Sequence, residues 1–225
     1  MNYNGIIAFV CEYLFPSGCG CCGEALLNQE ESINGICKKC NIFLNTAIEN
    51  KEKTQEKIEK MLAIYPYTGY FKEILGSYKF KKMTHIGNFL SERMIESINY
   101  LFGNSPGKDF LQQAAWVPVP PRPGKIKKQG WDQIEYLARV LEKKKSRLIP
   151  VRRCLKRLRS RSQKELNRTE RTSNLKKRIL CIKKPPKIAI LFDDVITTGA
   201  TLAACAQALL DGGAEKVYGI CLFFD

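Results

Sequence analysis

The sequence predicts an α/β protein, a parallel sheet with flanking helices, carrying a small N-terminal four-cysteine element. Three observations predict it. Ile188 to Phe192 is a short apolar run rich in branched residues, and Lys216 to Phe224 is a second apolar stretch; both read as buried strands. A helical pattern from Leu202 to Leu210 lies between them, and strands alternating with helices pair in parallel. Two Cys-x-x-Cys knuckles near the start mark a separate small unit. With 225 residues and 44% hydrophobic content, the chain holds one substantial domain plus an appendage. The expected division is 1–55 for the cysteine segment and linker, and 56–225 for the main domain.

The chain begins with an apolar run, Gly5 to Val10, that lacks a basic flank and leads into Cys11-Glu12. It makes a poor signal peptide, and no apolar run reaches membrane-spanning length, so a cytoplasmic location is expected. Cys19, Cys22, Cys37 and Cys40 have the paired spacing that supplies four thiolates to a tetrahedral Zn²⁺. A pair of disulfides also satisfies the count but needs an oxidising compartment, to which nothing here directs the chain. The expected structural Zn²⁺ would fold a segment too small for its own core. Gly23 and Gly35 give the knuckles room to turn. The other six of the ten cysteines, Cys11, Cys21, Cys154, Cys181, Cys205 and Cys221, read as buried or spare thiols.

Asn45 to Lys60 is polar and reads as a linker or exposed helix. Tyr65 to Gly69 reads as a turn and Tyr70 to Tyr78 as a helix, followed by the basic tract Lys79-Phe80-Lys81-Lys82. Ile86 to Leu101 carries apolar residues at helical spacing. Ala114 to Pro121 reads as an edge strand or strand end, because its prolines cannot donate ladder bonds. Arg122, Lys125, Lys127 and Lys128 precede a second amphipathic helix bearing Trp131, Ile134, Leu137, Ala138 and Leu141. Leu148 to Val151 reads as a short strand, and Arg152 to Arg178 is the most basic tract.

Asp193 and Asp194 fall where the Ile188 strand should end, followed by the small-residue loop Thr197-Thr198-Gly199-Ala200-Thr201. A strand that delivers such a loop onto a helix N-terminus builds an anion site: free N–H groups point outward, Gly permits close approach, and threonine hydroxyls add donors. Plain helix capping is the alternative for an isolated Asp-Asp. The complete string favours a phosphate ligand, because it is similar to the type I phosphoribosyltransferase signature. That resemblance implies that the Thr/Gly loop, Thr197 through Thr201, holds the 5′-phosphate of phosphoribosyl diphosphate (PRPP), and that Asp193 and Asp194 hold the ribose hydroxyls.

Over nearly its full length the chain resembles the ComF competence family. The resemblance rests on the four-cysteine ribbon, Lys79-Phe80-Lys81, Val117-Pro118-Val119-Pro120, Gly130-Trp131-Asp132-Gln133, and the segment from Gln163 through Leu166, Glu170, Arg171, Asn174 and Leu175. It implies a type I phosphoribosyltransferase-like domain, with Val119-Pro120-Pro121-Arg122 and Lys125 at the diphosphate and Gln163 and Arg171 on a mobile lid. Asp194 is the candidate catalytic residue by analogy. Mg²⁺ would accompany PRPP, and a DNA-uptake helicase or channel is an implied partner. Two positions depart from the family pattern: Asp132 replaces an Asn and Ser160 replaces a Thr.

Thirty-seven Lys and Arg against twenty-two acids give +15, which suits polyanionic partners or simply solubility. The single His, His85, argues against His-based catalysis. Two functions remain open: a ComF-like protein that binds PRPP and handles incoming single-stranded DNA, or a metabolic transferase that passes the phosphoribosyl group to a base or amine. The DNA reading places single strands on Lys79–Lys82, Arg122–Lys128 and Arg152–Arg178, Arg157, Arg159 and Arg161 included, with Phe80 and Trp131 stacking on bases.

Overall fold

The computed structural model describes residues 18–80, 84–103, 106–144, 149–159 and 178–225. In chain order its elements are α1 (Gln29–Asn34), α2 (Lys38–Thr46), β1 (Lys51–Gln55), β2 (Ile58–Pro66), α3 (Gly69–Phe80), α4 (Gly87–Phe102) and α5 (Lys108–Gln113). Then come β3 (Ala114–Pro118), α6 (Lys125–Gln129), α7 (Gln133–Lys143), β4 (Leu155–Arg157), β5 (Ile179–Cys181), β6 (Ile188–Ile196), α8 (Ala200–Asp211) and β7 (Lys216–Phe224). Five strands form one sheet in the order β1-β2-β7-β6-β3, and β4 with β5 forms a small antiparallel pair. Within the sheet β2, β7, β6 and β3 run parallel, while β1 runs antiparallel along one edge.

The central strands bury both faces. Ala189, Ile190, Leu191 and Phe192 of β6 are fully buried and alternate between two cores. Ile190 and Phe192 join α3, α4 and α7 on one face. Ala189 and Leu191 join α8 and the β4–β5 pair on the other. The cysteine segment shares the first of these cores: Cys19, Leu26, Ile36, Cys37, Cys40 and Leu44 cluster with Leu62, Ile74 and Ile86.

Three expectations change. Asn45 to Lys60 is neither linker nor exposed helix, because α2 ends at Thr46 and Lys51–Gln55 pairs with β2. Its Lys, Glu and Gln side chains read as helix formers, but on an edge strand they face solvent while β2 supplies the ladder. Strand β6 does not end at the acids; pairing with β7 continues through Asp193↔Cys221 and Val195↔Phe223. Of the strand expected at 148–151, Leu148 lies outside the described residues and the rest forms one bridge, Trp116↔Val151, flanked by Trp116 N–H to Pro150 O (2.8 Å) and Arg152 N–H to Trp116 O (2.8 Å). The helices expected at 70–78, 86–101 and 202–210 and the strand at 216–224 form as read. No described helix is long and apolar enough to cross a membrane.

Candidate functional site

Parallel pairing of β3 with β6 sets Pro118 beside Phe192, and Val119 N–H bonds Phe192 O at 3.1 Å. The turn Val119-Pro120-Pro121-Arg122 therefore leaves the sheet next to Asp193 and Asp194. Together they line a cleft of about 730 Å³ at the carboxyl ends of these strands, where ligands of parallel sheets bind. Lys79, Phe80, Lys125, Gln133, Arg157 and Thr201 complete its walls.

The acids sit mid-strand, so successive side chains point to opposite faces. Asp194 lies on the α3 and α7 side. Its Oδ2 receives Lys79 Nζ at 2.7 Å and Gln133 Nε2 at 2.7 Å, and its Oδ1 accepts Val195 N–H at 2.9 Å. Asp193 lies on the side of α8 and β4, near Cys205 and Arg157, and its Oδ1 accepts Asp194 N–H at 2.8 Å. Burial pushes the Asp193 carboxyl well above its ordinary value, and the Asp194 charge pushes further. Burial acts on Asp194 too, yet the Lys79 ammonium and the bond from Gln133 outweigh it and hold that carboxyl below its ordinary value. Burial and the nearby Arg122 charge lower Arg157.

Thr197 and Thr198 are exposed, and Gly199 sits at φ 70° as the N-cap of α8, with its carbonyl accepting Ala203 N–H at 2.9 Å. Only glycine adopts that conformation without strain, and a β-carbon there would overlap Gln55 Oε1 from β1. Of the loop, Thr201 reaches the cleft wall.

The expected diphosphate residues take different positions. Arg122 is exposed on the cleft rim. Lys125 is tied inward, its Nζ 2.5 Å from Asp132 Oδ2 and also bonded to Gln133 Oε1. Asp132 caps α7 through Oδ1, accepting Ile134 and Glu135 N–H at 3.0 Å each. The Asp in place of Asn thus has a cation to neutralise it. Gln163, Arg171 and Ser160 lie outside the described residues, as do Lys81, Lys82, Arg161 and Cys11.

Sequence reasoning placed Lys79 and Arg157 on a nucleic-acid surface, whereas both face the cleft. Trp131, read as a stacking platform, is half-buried and meets Tyr78 and Tyr136 edge-on at 5.6 and 6.2 Å. Phe80 is 76% exposed at the cleft mouth. Gln55 and the Lys79–Asp194 pair were missed; no local signal marks residues brought together from separate strands and helices.

The second cluster is the four thiols. Cys19, Cys22, Cys37 and Cys40 bring their Sγ atoms within 4.8 Å of one another, all buried except Cys22. Cys22 and Cys37 Sγ stand 3.8 Å apart, the edge expected of a tetrahedron with Zn–S of about 2.3 Å. Cys37 N–H donates to Cys19 Sγ at 3.3 Å, as backbone donors do in thiolate knuckles, and Gly23 and Gly35 turn at φ 79° and 71°. The donor set fits structural zinc, and Cys21 stays outside it.

These features define a mixed α/β protein with a cleft at strand carboxyl ends and an N-terminal four-cysteine module compatible with zinc. No family model matches the chain. The chain is similar to Competence protein ComFC of Bacillus subtilis (strain 168), with 26% identity over 191 residues, covering 84% of this chain and 71% of the relative. This similarity bears out the resemblance to the ComF family.

Proposed function

We propose that the cleft binds PRPP or a related phosphoribosyl ligand, and that the chain is a ComF-like protein acting in natural transformation on incoming single-stranded DNA. One observation carries the ligand reading: the Val119–Arg122 turn, the acid pair and Thr201 meet in a single cleft lined by Lys79, Arg122, Lys125 and Arg157. The ribose hydroxyls donate to the Asp194 carboxylate and to Asp193. The Gly199–Thr201 backbone at the start of α8 receives the 5′-phosphate. Arg122 and Arg157 flank the diphosphate, and the partly buried setting strengthens each contact.

Mg²⁺, when bound with PRPP, supplies charge neutralisation of the diphosphate. Asp193 and Asp194 are the oxygen ligands this chain offers it, and a nearby cation would favour the ionised form of Asp193. The competence role follows from the similarity to ComFC. The DNA reading draws on the exposed cations Lys127, Lys128 and Arg159, of which Lys128 shares the cleft wall with Phe80.

A second reading, transfer of the phosphoribosyl group to a base or amine, is favoured by the cleft's volume of about 730 Å³, with Lys79 and Phe80 among its walls. There the C1–diphosphate bond would break through an oxocarbenium-like state while the acceptor nitrogen forms the new bond to C1 and releases a proton. Calorimetry with PRPP and Mg²⁺ tests binding, and diphosphate release with a panel of bases tests transfer. Equal PRPP affinity in wild type and an Asp193→Ala/Asp194→Ala chain rules out this site.

A further inference from the structure

The four-thiol cluster and the cleft share one helix. At the start of α3, Tyr70 Oη lies 3.3 Å from Cys40 Sγ, and Phe43 of α2 meets Tyr70 and Phe71 at 5.3 and 6.0 Å. Along its second half, Glu73, Gly76, Ser77 and Phe80 face the knuckle Cys19–Gly23 across a groove. Beyond the helix, Gly20 and Gly35 close so tightly on Ile86 and His85 that neither position has room for a β-carbon. Gly20 N–H also bonds Gly35 O at 2.9 Å, fastening the two knuckles together at this contact. The far end of the same helix delivers Lys79 to Asp194.

We infer that α3 couples the four-thiol centre to the cleft: a metal ion in the centre holds Lys79 on Asp194, and each site alters the occupancy of the other. The physical reason is the module's size. Its few apolar residues fold only as part of the core they share with α3, and a bound metal supplies much of a small module's folding energy. Losing the metal removes the wall against which α3 stands. Its own apolar face, Ile74, Leu75 and Tyr78, and the bond from Tyr78 Oη to Gln133 O (2.8 Å) still hold the helix on the sheet. Lys79, on a flexible stem and only partly buried, is the contact most sensitive to a small shift. Coupling of this kind is reciprocal at equilibrium, so a cleft ligand must change metal affinity by the same factor by which the metal changes the ligand's.

The first test does not depend on what the cleft binds. Zinc-loaded and chelator-stripped chain are treated with an amine-acylating reagent, and labelling is read by mass spectrometry residue by residue. Lys79 is expected to label about fivefold faster after stripping, while Lys125, held by Asp132 and Gln133, stays unchanged. Equal Lys79 labelling in both forms, or a parallel rise at Lys125 that signals general loosening, overturns the inference. Tyr70→Phe keeps all four thiols and removes only the hydroxyl on Cys40, which guards against collapse of the stripped form. It is expected to release zinc faster to a colorimetric chelator and to expose Lys79, and unchanged release with unchanged labelling counts against the coupling.

The second test rests on the proposed ligand. PRPP is expected to change the zinc affinity of the wild type, measured by competition with a chelator at equilibrium. PRPP that binds while leaving zinc affinity unaltered overturns the coupling. Absence of PRPP binding refutes the proposed ligand instead, and the labelling result then decides the coupling alone.

Discussion

Replacing Lys79 by Met keeps the stem and removes the ammonium from Asp194. The ion pair is 2.7 Å long, with side-chain exposure of 29% for Lys79 and 10% for Asp194. At an effective dielectric of about 20, charges that close attract by roughly 6 kcal/mol before desolvation is counted. Partial exposure of Lys79 and the desolvation of both groups reduce the net loss to about 2–3 kcal/mol, toward the lower end of the range for breaking a buried pair. A ceiling exists. Asp194 can take up a proton instead, which at pH 7 costs about 4 kcal/mol for an ordinary carboxyl. The pH dependence gives the sign. Asp194 has a lowered folded pKa, so its contribution is present above the unfolded value of about 4 and is lost as pH falls through the folded value. The variant's deficit is therefore largest near neutrality and fades below about pH 4. Asp193, raised by burial, works in the opposite sense: its cost above about pH 4 is relieved on acidification, and because the Lys79 charge also acts to lower it, that cost grows in the variant. Urea unfolding of wild type and Lys79→Met between pH 7 and 3.5 measures this directly. A deficit that stays constant with pH would show that Lys79 acts through packing, and no deficit at pH 7 would show that solvent screens the pair.

Elemental analysis of chain purified without added metal should find one zinc per chain, and Cys37→Ser should lose it and loosen the α1–α2 segment; disulfides among the four cysteines would end that reading. Gly199→Ala should destabilise by about 1–2 kcal/mol through the left-handed conformation alone, and a Gln55→Ala background should relieve the additional overlap with Gln55, measured by a double-mutant cycle. Gly199→Val should weaken PRPP binding by blocking close phosphate approach, with about 1.5–3 kcal/mol lost per hydrogen bond to the charged ligand, as read by calorimetry. Single-stranded DNA binding should fall steeply with salt, and Lys127→Ala with Arg159→Ala should reduce that slope while PRPP affinity stays near wild type; no DNA binding even at low salt would remove the nucleic-acid role and favour a metabolic transferase.

The sequence by itself determined whatever is written in short-range pattern. The paired knuckles named the four thiols that converge, because Cys-x-x-Cys is a local geometry that brings two sulfurs into one turn. The apolar runs named β6 and β7, and the 3.6-residue periods named α4, α7 and α8, because a strand or helix must turn its apolar residues to a core wherever that core is. The Asp-Asp and Thr-Thr-Gly string pointed to the carboxyl end of the parallel sheet, and a cleft lined by Asp193, Asp194 and Thr201 lies there. Tertiary structure decided the rest. Lys51–Gln55 became a strand because β2 lay beside it, overriding a composition that reads as helix or linker. Strand β6 continued past the acids because β7 was there to pair with, and that extension sent Asp193 and Asp194 to opposite faces, where their surroundings shift the two carboxyls in opposite directions. Lys79 and Gln133 reached Asp194 from two helices on one face, while Arg157 reached Asp193 from a strand on the other. Such partners are far apart along the chain, and only packing of both sheet faces brings Lys79 and Gln133 within bonding distance of Asp194 and Arg157 within electrostatic reach of Asp193.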